Sequence, residues 1–175
     1  GNKTKKIDSF GTLRIELADN QKDMYAFGID PKTKRLKKKK IKYFIKSQIP
    51  KKWIRIKTQT GREQVMTPTH DFFYLDKNNE FKIKKAIEIK KNDKIAILKN
   101  YKKFVGKKIY EKEFRNREII KDTNFDIKGD FFIDMISEVS EFSDNNNSYC
   151  FDVENEERLD KNVLWGEGII NFRCD

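Results

Sequence analysis

Short runs of β-branched and aromatic residues, cut by turn residues at close intervals, constrain this chain more than any other feature. "TLRIEL" (12–17) alternates apolar and polar residues, and "MYAFGID" (24–30) leads into "PKTK", a turn opened by proline. "KIKYFIKS" (40–47), "WIRIKT" (53–58) and "REQVMT" (62–67) continue the pattern; the last two are joined through "QTG", where Gly61 suits a tight hairpin. "HDFFYL" is separated from "FKIKKAIEI" by "DKNNE", and the turn "KKNDK" precedes "IAIL" (95–98). "FFIDMISEVSEF" and "SYCFDVENE" flank the polar break "SDNNN", and "NVLWGEGIINF" supplies one or two closing strands. Roughly twelve strands with turns every 8–12 residues predict an all-β fold. The exception is 100–129, highly charged and loosely spaced in its apolar residues. A short helix near Glu111 to Ile120 and a partly mobile connector are both open there.

Residues 1–175 read as one domain, long enough for a sizeable core. No apolar run approaches a membrane span, and no charged leader precedes an apolar block, so neither a membrane nor a secretory route is expected. Cys150 and Cys174 make neither a disulfide framework nor a zinc motif, and with one histidine no metal site and no cofactor are called for. The expected setting is a reducing one, the cytoplasm. Net charge is +11, and between residues 31 and 62 no acidic residue occurs. The basic stretch from Lys32 to Lys57 is an electrostatic footprint that a nucleic acid would fit. Its plainer reading is a solvated strand and turn, because base-stacking aromatics are not interleaved along the run itself.

The chemistry concentrates at the single histidine, His70, in "TGREQVMTPTHDFFYLD" (60–76). Thr67 and His70, at the end of one strand and the entry to the next, present a hydroxyl and an imidazole near one turn, which Pro68 stiffens. A neutral imidazole accepts on one nitrogen and donates on the other, so the pair can hold and polarise a peptide bond and protonate a leaving amine. On Thr-x-x-His alone, a histidine that satisfies a local turn is the better explanation of the spacing.

The wider stretch resembles block B of inteins, the protein-splicing elements of the Hint superfamily, a block that reads Thr-Gly-Arg-Glu, a β-branched pair, Thr-x-x-His, then apolar residues. "FGIDPKTKRLKKKKIKYFIKSQIPKKWIRIKT" is similar to the strand pair before block B. "KAIEIKKNDKIAIL" is similar to the later Gly-Asp segment, with Asn92-Asp93 in place of Gly-Asp. "FFIDMISEVSEFSDNNNSYCFDVENEE" resembles the approach to block F, and "NVLWGEGIINFRCD" resembles block G. The resemblance covers roughly residues 24–99 and 130–175. The ending is also similar to inteins in the large subunit of archaeal D-family DNA polymerases.

This resemblance implies a disc-like, all-β Hint fold with the chain ends meeting at its centre, and an autocatalytic, single-turnover rearrangement of the protein's own flanking peptide bonds. Its partners would be extein segments in cis or a short N-terminal intein fragment in trans, with the domain itself monomeric. Thr67 and His70 match the pair that activates the first junction, Asp152 the block F acid, and Cys174 the downstream nucleophile. Three departures stand against them. Phe172 occupies the penultimate histidine position, and Arg173 the position of the Asn or Gln that cyclises; a guanidinium carries no carboxamide for that step. Asn171 is an alternative terminus, but Phe172 would then follow it. Lys161 lies near the usual block F histidine, and the block A opening Cys-x-x-Gly-Asp-Thr has no match. A split, degenerate or trapped intein fits these departures. Cys150 shares a strand face with Asp152 and reads as an auxiliary thiol or a buried small hydrophobe. The segment 100–129 is too short for a homing endonuclease and reads as a linker at its insertion point. The alternative from another class is a basic, β-rich nucleic-acid-binding or structural insertion module.

Overall fold

The computed structural model describes residues 14–19, 23–47, 49–117, 129–154, 157–164 and 166–172, the first of these by backbone only. Among them twelve strands run in the order β1 (Arg14–Asp19), β2 (Tyr25–Ile29), β3 (Leu36–Ser47), β4 (Trp53–Thr58), β5 (Glu63–Met66), β6 (Asp71–Leu75), β7 (Phe81–Lys85), β8 (Lys94–Leu98), β9 (Phe131–Phe142), β10 (Ser148–Val153), β11 (Asn162–Leu164) and β12 (Ile170–Phe172). Side-chain turn chemistry fixes several boundaries. Asp30 accepts from the backbone N–H groups of Lys32 (2.9 Å) and Thr33 (3.3 Å), which reverses β2 into β3 and draws the Asp30 carboxyl pKa down. Asp76 does the same between β6 and β7, accepting from Asn78 (2.8 Å) and Glu80 (3.0 Å). Gly61, at φ 90°, closes the β4–β5 hairpin in a conformation that favours glycine.

Six strands form one antiparallel sheet in the order β5-β4-β9-β8-β6-β7. Neighbouring residues on its strands feed different cores. Phe73, Leu75, Ala96, Leu98, Phe131 and Ile133 join one cluster, while Phe72, Ile95, Ile97, Phe132 and Ile136 join another. This sheet is therefore buried on both faces, which is why "DFFYL" and "IAIL" are nearly continuous apolar runs rather than alternating ones.

The second sheet is built on the twelve-residue β3, paired with β2 along Leu36–Lys40 and lying between β1 and β10 farther on. β3 begins four residues before the expected strand at 40–47, straight through the lysine run. The register explains this: Lys39 turns inward and is 3% exposed, and its ammonium donates to the carbonyls of Ile29 (3.3 Å), Asp160 (2.5 Å) and Asn162 (2.8 Å). Burial pulls its pKa down to about 8. The small β11–β12 hairpin closes the chain here. Asn162 binds both backbone groups of Ile29, and a Cβ on Gly28 would lie 2.4 Å from the Asn162 carbonyl, so this approach needs glycine.

The expected helix near Glu111 to Ile120 begins earlier and ends at Glu113. Two short helices, α1 (Tyr101–Val105) and α2 (Lys107–Glu113), flank Gly106 at φ 90°, while residues 118–128 lie outside the described residues. The start of this segment is packed rather than loose: Tyr101 and Phe114 are buried in the first core cluster, ring against ring at 6.2 Å. No described helix is long and apolar enough to cross a membrane.

Candidate functional site

The turn between β5 and β6 holds His70 from both sides. The His70 N–H donates to the Thr67 carbonyl (3.1 Å), and the His70 carbonyl accepts from Ala86 (2.8 Å). Ile87 N–H reaches the Pro68 carbonyl (3.0 Å), so a 3-10 turn at Ala86–Glu88 covers the Thr-x-x-His bend. The ring is thus set by backbone, and only 8% of the residue is exposed.

His70 faces the last described strand, β12. Its Nε2 lies 3.2 Å from Oδ1 of Asn171, on β12. Gln64, on β5, donates its Nε2 to the same Oδ1 (2.5 Å), and Asn171 Nδ2 donates back to Gln64 Oε1 (2.7 Å). Asn171 Nδ2 also donates to the Ile169 carbonyl (3.3 Å), which fixes which end of the carboxamide is oxygen. Because Oδ1 can only accept, His70 carries its proton on Nε2 in this contact. Asn171 is wholly buried and Gln64 is 9% exposed. An imidazole N–H pointed at a carbonyl-type oxygen in a dry site is suited to polarise that oxygen or to release a proton nearby.

Around this pair the partners are charged. Asp71, next to His70 and 4% exposed, binds Lys85 Nζ (2.7 Å) and Arg158 Nη2 (3.5 Å). The Arg158 guanidinium also lies 5.1 Å from the ring centre of Phe172, which is wholly buried and pairs with Asn162. The Thr-Gly-Arg-Glu stretch serves the scaffold. Arg62 donates to Thr60 Oγ1, Thr60 donates to Asp134 Oδ2, and the Arg62 guanidinium stacks 5.2 Å from the Phe132 ring centre. These contacts fasten the β4–β5 hairpin to β9. Glu63 points instead to Arg117 (3.6 Å), which also binds Glu167, at the turn before β12. Burial raises the pKa of Glu167 despite that guanidinium.

The structure brings Thr67, His70 and Asn171 to one place, with Phe172 following Asn171 on β12, and puts Cys150, Asp152 and Lys161 on other elements. Asp152 is on β10 opposite Tyr43, 3% exposed, and accepts from Val153 N–H (2.8 Å) at a bulge that turns both residues inward. Lys161 ends the 3-10 turn before β11 and is half-buried. Arg173 and Cys174 lie outside the described residues. Cys150 is in a disulfide, not a free auxiliary thiol, and the chain has one other cysteine; a single bridge needs only two sulfurs within reach, which a cysteine count does not reveal. Gln64 was missed by the sequence reading. Its signal was a polar residue on the inward face of β5, between Arg62 and Met66. Among the described residues no group of three or more His, Cys, Asp or Glu is placed to hold a metal ion.

Comparison with known proteins bears on the family and the fold. The model of the intein splicing domain matches residues 4–171. The chain is similar in fold to "an intein from a hyperthermophile" (13% identity, TM-score 0.67, 97% of this chain and 82% of that one). It is similar to the "transcription factor IIB Mvu mini-intein" (14%, 0.64, 98% and 82%) and to the solution structure of the "Pab PolII Intein" (17%, 0.63, 98% and 85%). No curated protein matches in sequence.

Proposed function

Because the chain belongs to the intein splicing domain family and is a protein-splicing domain of Hint fold, we propose that it breaks and remakes its own flanking peptide bonds at the His70–Asn171 site. The observation that carries this reading is the 3.2 Å contact that joins the histidine of Thr-x-x-His to the last described strand. Thr67 and His70 hold and polarise the first scissile peptide, and His70 protonates the departing amine. The first nucleophile comes from a segment outside these residues, upstream in the same chain or supplied in trans. Cys174 then accepts the acyl group, with Asp152 steering the proton of its thiol and Lys161 standing near the base position. The domain works as a monomer in the cytoplasm, where reductant would open the Cys150 disulfide.

Release at the C-terminal junction is the weak step. Arg173 has no carboxamide to cyclise, and Phe172 is a core residue rather than an acid or base. Asn171 has the carboxamide, but its Nδ2 is held by Gln64 Oε1 and the Ile169 carbonyl. We therefore expect acyl transfer without efficient ligation.

Intact mass of the chain between two reporter proteins tests this, with reductant, and with or without a synthetic block A peptide. Cleavage at the first junction with little ligated product is expected. Efficient ligation would overturn the impaired junction. Loss of the segment after Asn171 would make Asn171 the cyclising residue. An unchanged mass under every condition would overturn the catalytic reading.

A further inference from the structure

One face of the second sheet has no part in the His70 site, yet it combines charge and aromatic rings in a regular array. Along β3, Lys39, Ile41, Ile45 and Ser47 point inward and are buried. Strand alternation puts Lys38, Lys42 and Lys46 on the outward face. The neighbouring strands add what the lysine run itself lacks. Phe27 lies opposite Lys38, Tyr25 opposite Lys40 and Tyr149 opposite Lys46, and directly paired residues share a face. Tyr25 is 47% exposed, Phe27 37% and Tyr149 63%.

We propose that this outward face of β2, β3 and β10 binds single-stranded nucleic acid, with Tyr25, Phe27 and Tyr149 stacking on bases and Lys38, Lys42 and Lys46 contacting phosphates. Charge complementarity selects a polyanion: the segment from 31 to 62 has no acidic residue. Lys40 is left out because Asp23 pairs with it at 3.4 Å, and Lys46 is the weakest of the three contacts because its register partner on β1 is Glu16. The rings select unpaired bases. Lys38 Nζ sits 4.3 Å above the Tyr25 ring and Lys46 Nζ 6.0 Å from the Tyr149 ring, so an ammonium covers the π-face that a base would take. A base arriving there would free the ammonium to meet the adjacent phosphate. From Lys38 to Lys46 the strand spans about 26 Å, room for roughly four nucleotides, the smaller end of known single-strand site sizes. Duplex bases are already stacked on each other and offer no face to these rings.

The test is fluorescence anisotropy of the whole chain with labelled oligothymidylate, oligouridylate and a duplex of equal length. Three phosphate contacts predict a slope of log affinity against log salt of about −2 on single strands. The duplex should bind at least about tenfold more weakly, and combining Tyr25→Ala, Phe27→Ala and Tyr149→Ala should cost about tenfold or more without changing the slope. Lys38→Gln with Lys42→Gln and Lys46→Gln should flatten the slope. Tyr149→Ala alone, at the most exposed ring, gives a variant whose fold is safe and whose affinity must still fall. A preference between the two oligomers identifies DNA or RNA as the ligand. No binding at low salt, equal binding of duplex and single strand, or unchanged affinity after loss of the rings would overturn the proposal. Binding to anionic vesicles but not to either oligomer would overturn it in favour of a membrane surface.

Discussion

Asn162 and Asn171 sit on adjacent antiparallel strands, both with no exposed surface, and their side chains have opposite kinds of partner. Asn162 binds only backbone: Ile29 N–H at 2.6 Å, the Ile29 carbonyl at 2.9 Å and the Leu159 carbonyl at 2.6 Å. Asn171 binds mainly side chains, Gln64 and His70, with one bond to a carbonyl two residues away. Backbone partners are fixed by the fold, so a carboxamide that satisfies them is architecture. Side-chain partners can rotate, and an imidazole can gain or lose a proton, so a carboxamide held by them stands in a site that can react. One hairpin thus carries an asparagine built into the fold and, on the function proposed above, one built into the site.

The largest effect expected from this difference is on His70. His70→Ala should slow cleavage at the first junction by about 10²–10⁴-fold, the usual loss for a general acid, while denaturant unfolding changes little. Equal cleavage rates in the variant would remove the chemical half of the comparison. Asn162→Ala should do the reverse. It strands the buried Ile29 N–H and strips two carbonyls of a donor, at about 1–3 kcal/mol for a stranded buried group and roughly 3 kcal/mol in all. That should lower the melting temperature by about 6–12 °C in a domain of this size and leave cleavage per folded molecule intact. If Asn171→Ala unfolds the protein as much as Asn162→Ala does, the two asparagines are not different in kind.

A subtler test uses Lys39, which shares the Asn162 carbonyl and the Ile29 carbonyl with that structural knot. Its folded pKa is lowered from 10.5 to about 8, chiefly by burial, with the Asp160 carboxylate opposing. Between about pH 8 and 10.5 the unfolded chain therefore binds more protons than the folded one, and stability rises with pH. Below pH 8 both states are protonated and the full penalty is present. Denaturant titrations should show a gain of roughly 2–3 kcal/mol across that window, and Lys39→Met should flatten it. A slope unchanged in the variant would assign it to the other lysines. The smallest effect belongs to Arg117, which ties Glu63 and Glu167 together outside the site. Arg117→Ala should cost roughly 1–2 kcal/mol by leaving Glu167 half-buried without its guanidinium, and should weaken the turn that presents β12.

Much of this architecture was legible in the sequence, and the failures have physical causes. The strands at Trp53–Thr58 and Phe131–Phe142 coincide with their apolar patterns because both lie in the middle of a sheet with turn residues at each end. β3 was read too short because a lysine run looks solvated, and nothing local says that Lys39 will find three carbonyls from distant segments. The helical stretch was placed too late because Gly106 splits a helical spacing, Tyr101 with Val105 and Tyr110 with Phe114, into halves too short to register. At the site, His70 stood out as the sole imidazole, whereas its relation to Asn171 depends on a contact 101 residues apart. Gln64 was hidden in the quoted motif among the three residues between Glu63 and Thr67, since only its inward register gives it meaning. The aromatic rings facing the basic strand escaped notice for the same reason: they come from β2 and β10, not from β3.

The most direct test of the account is nitrogen NMR of the histidine ring, which is unambiguous because the chain has one histidine. With the ring neutral, Nε2 should be the protonated nitrogen, and its signal should move in Asn171→Ala and in Gln64→Ala but stay put in Asn162→Ala. A ring protonated on Nδ1, or an Nε2 signal indifferent to Asn171, would contradict the claim that the closing strand delivers its carboxamide to His70.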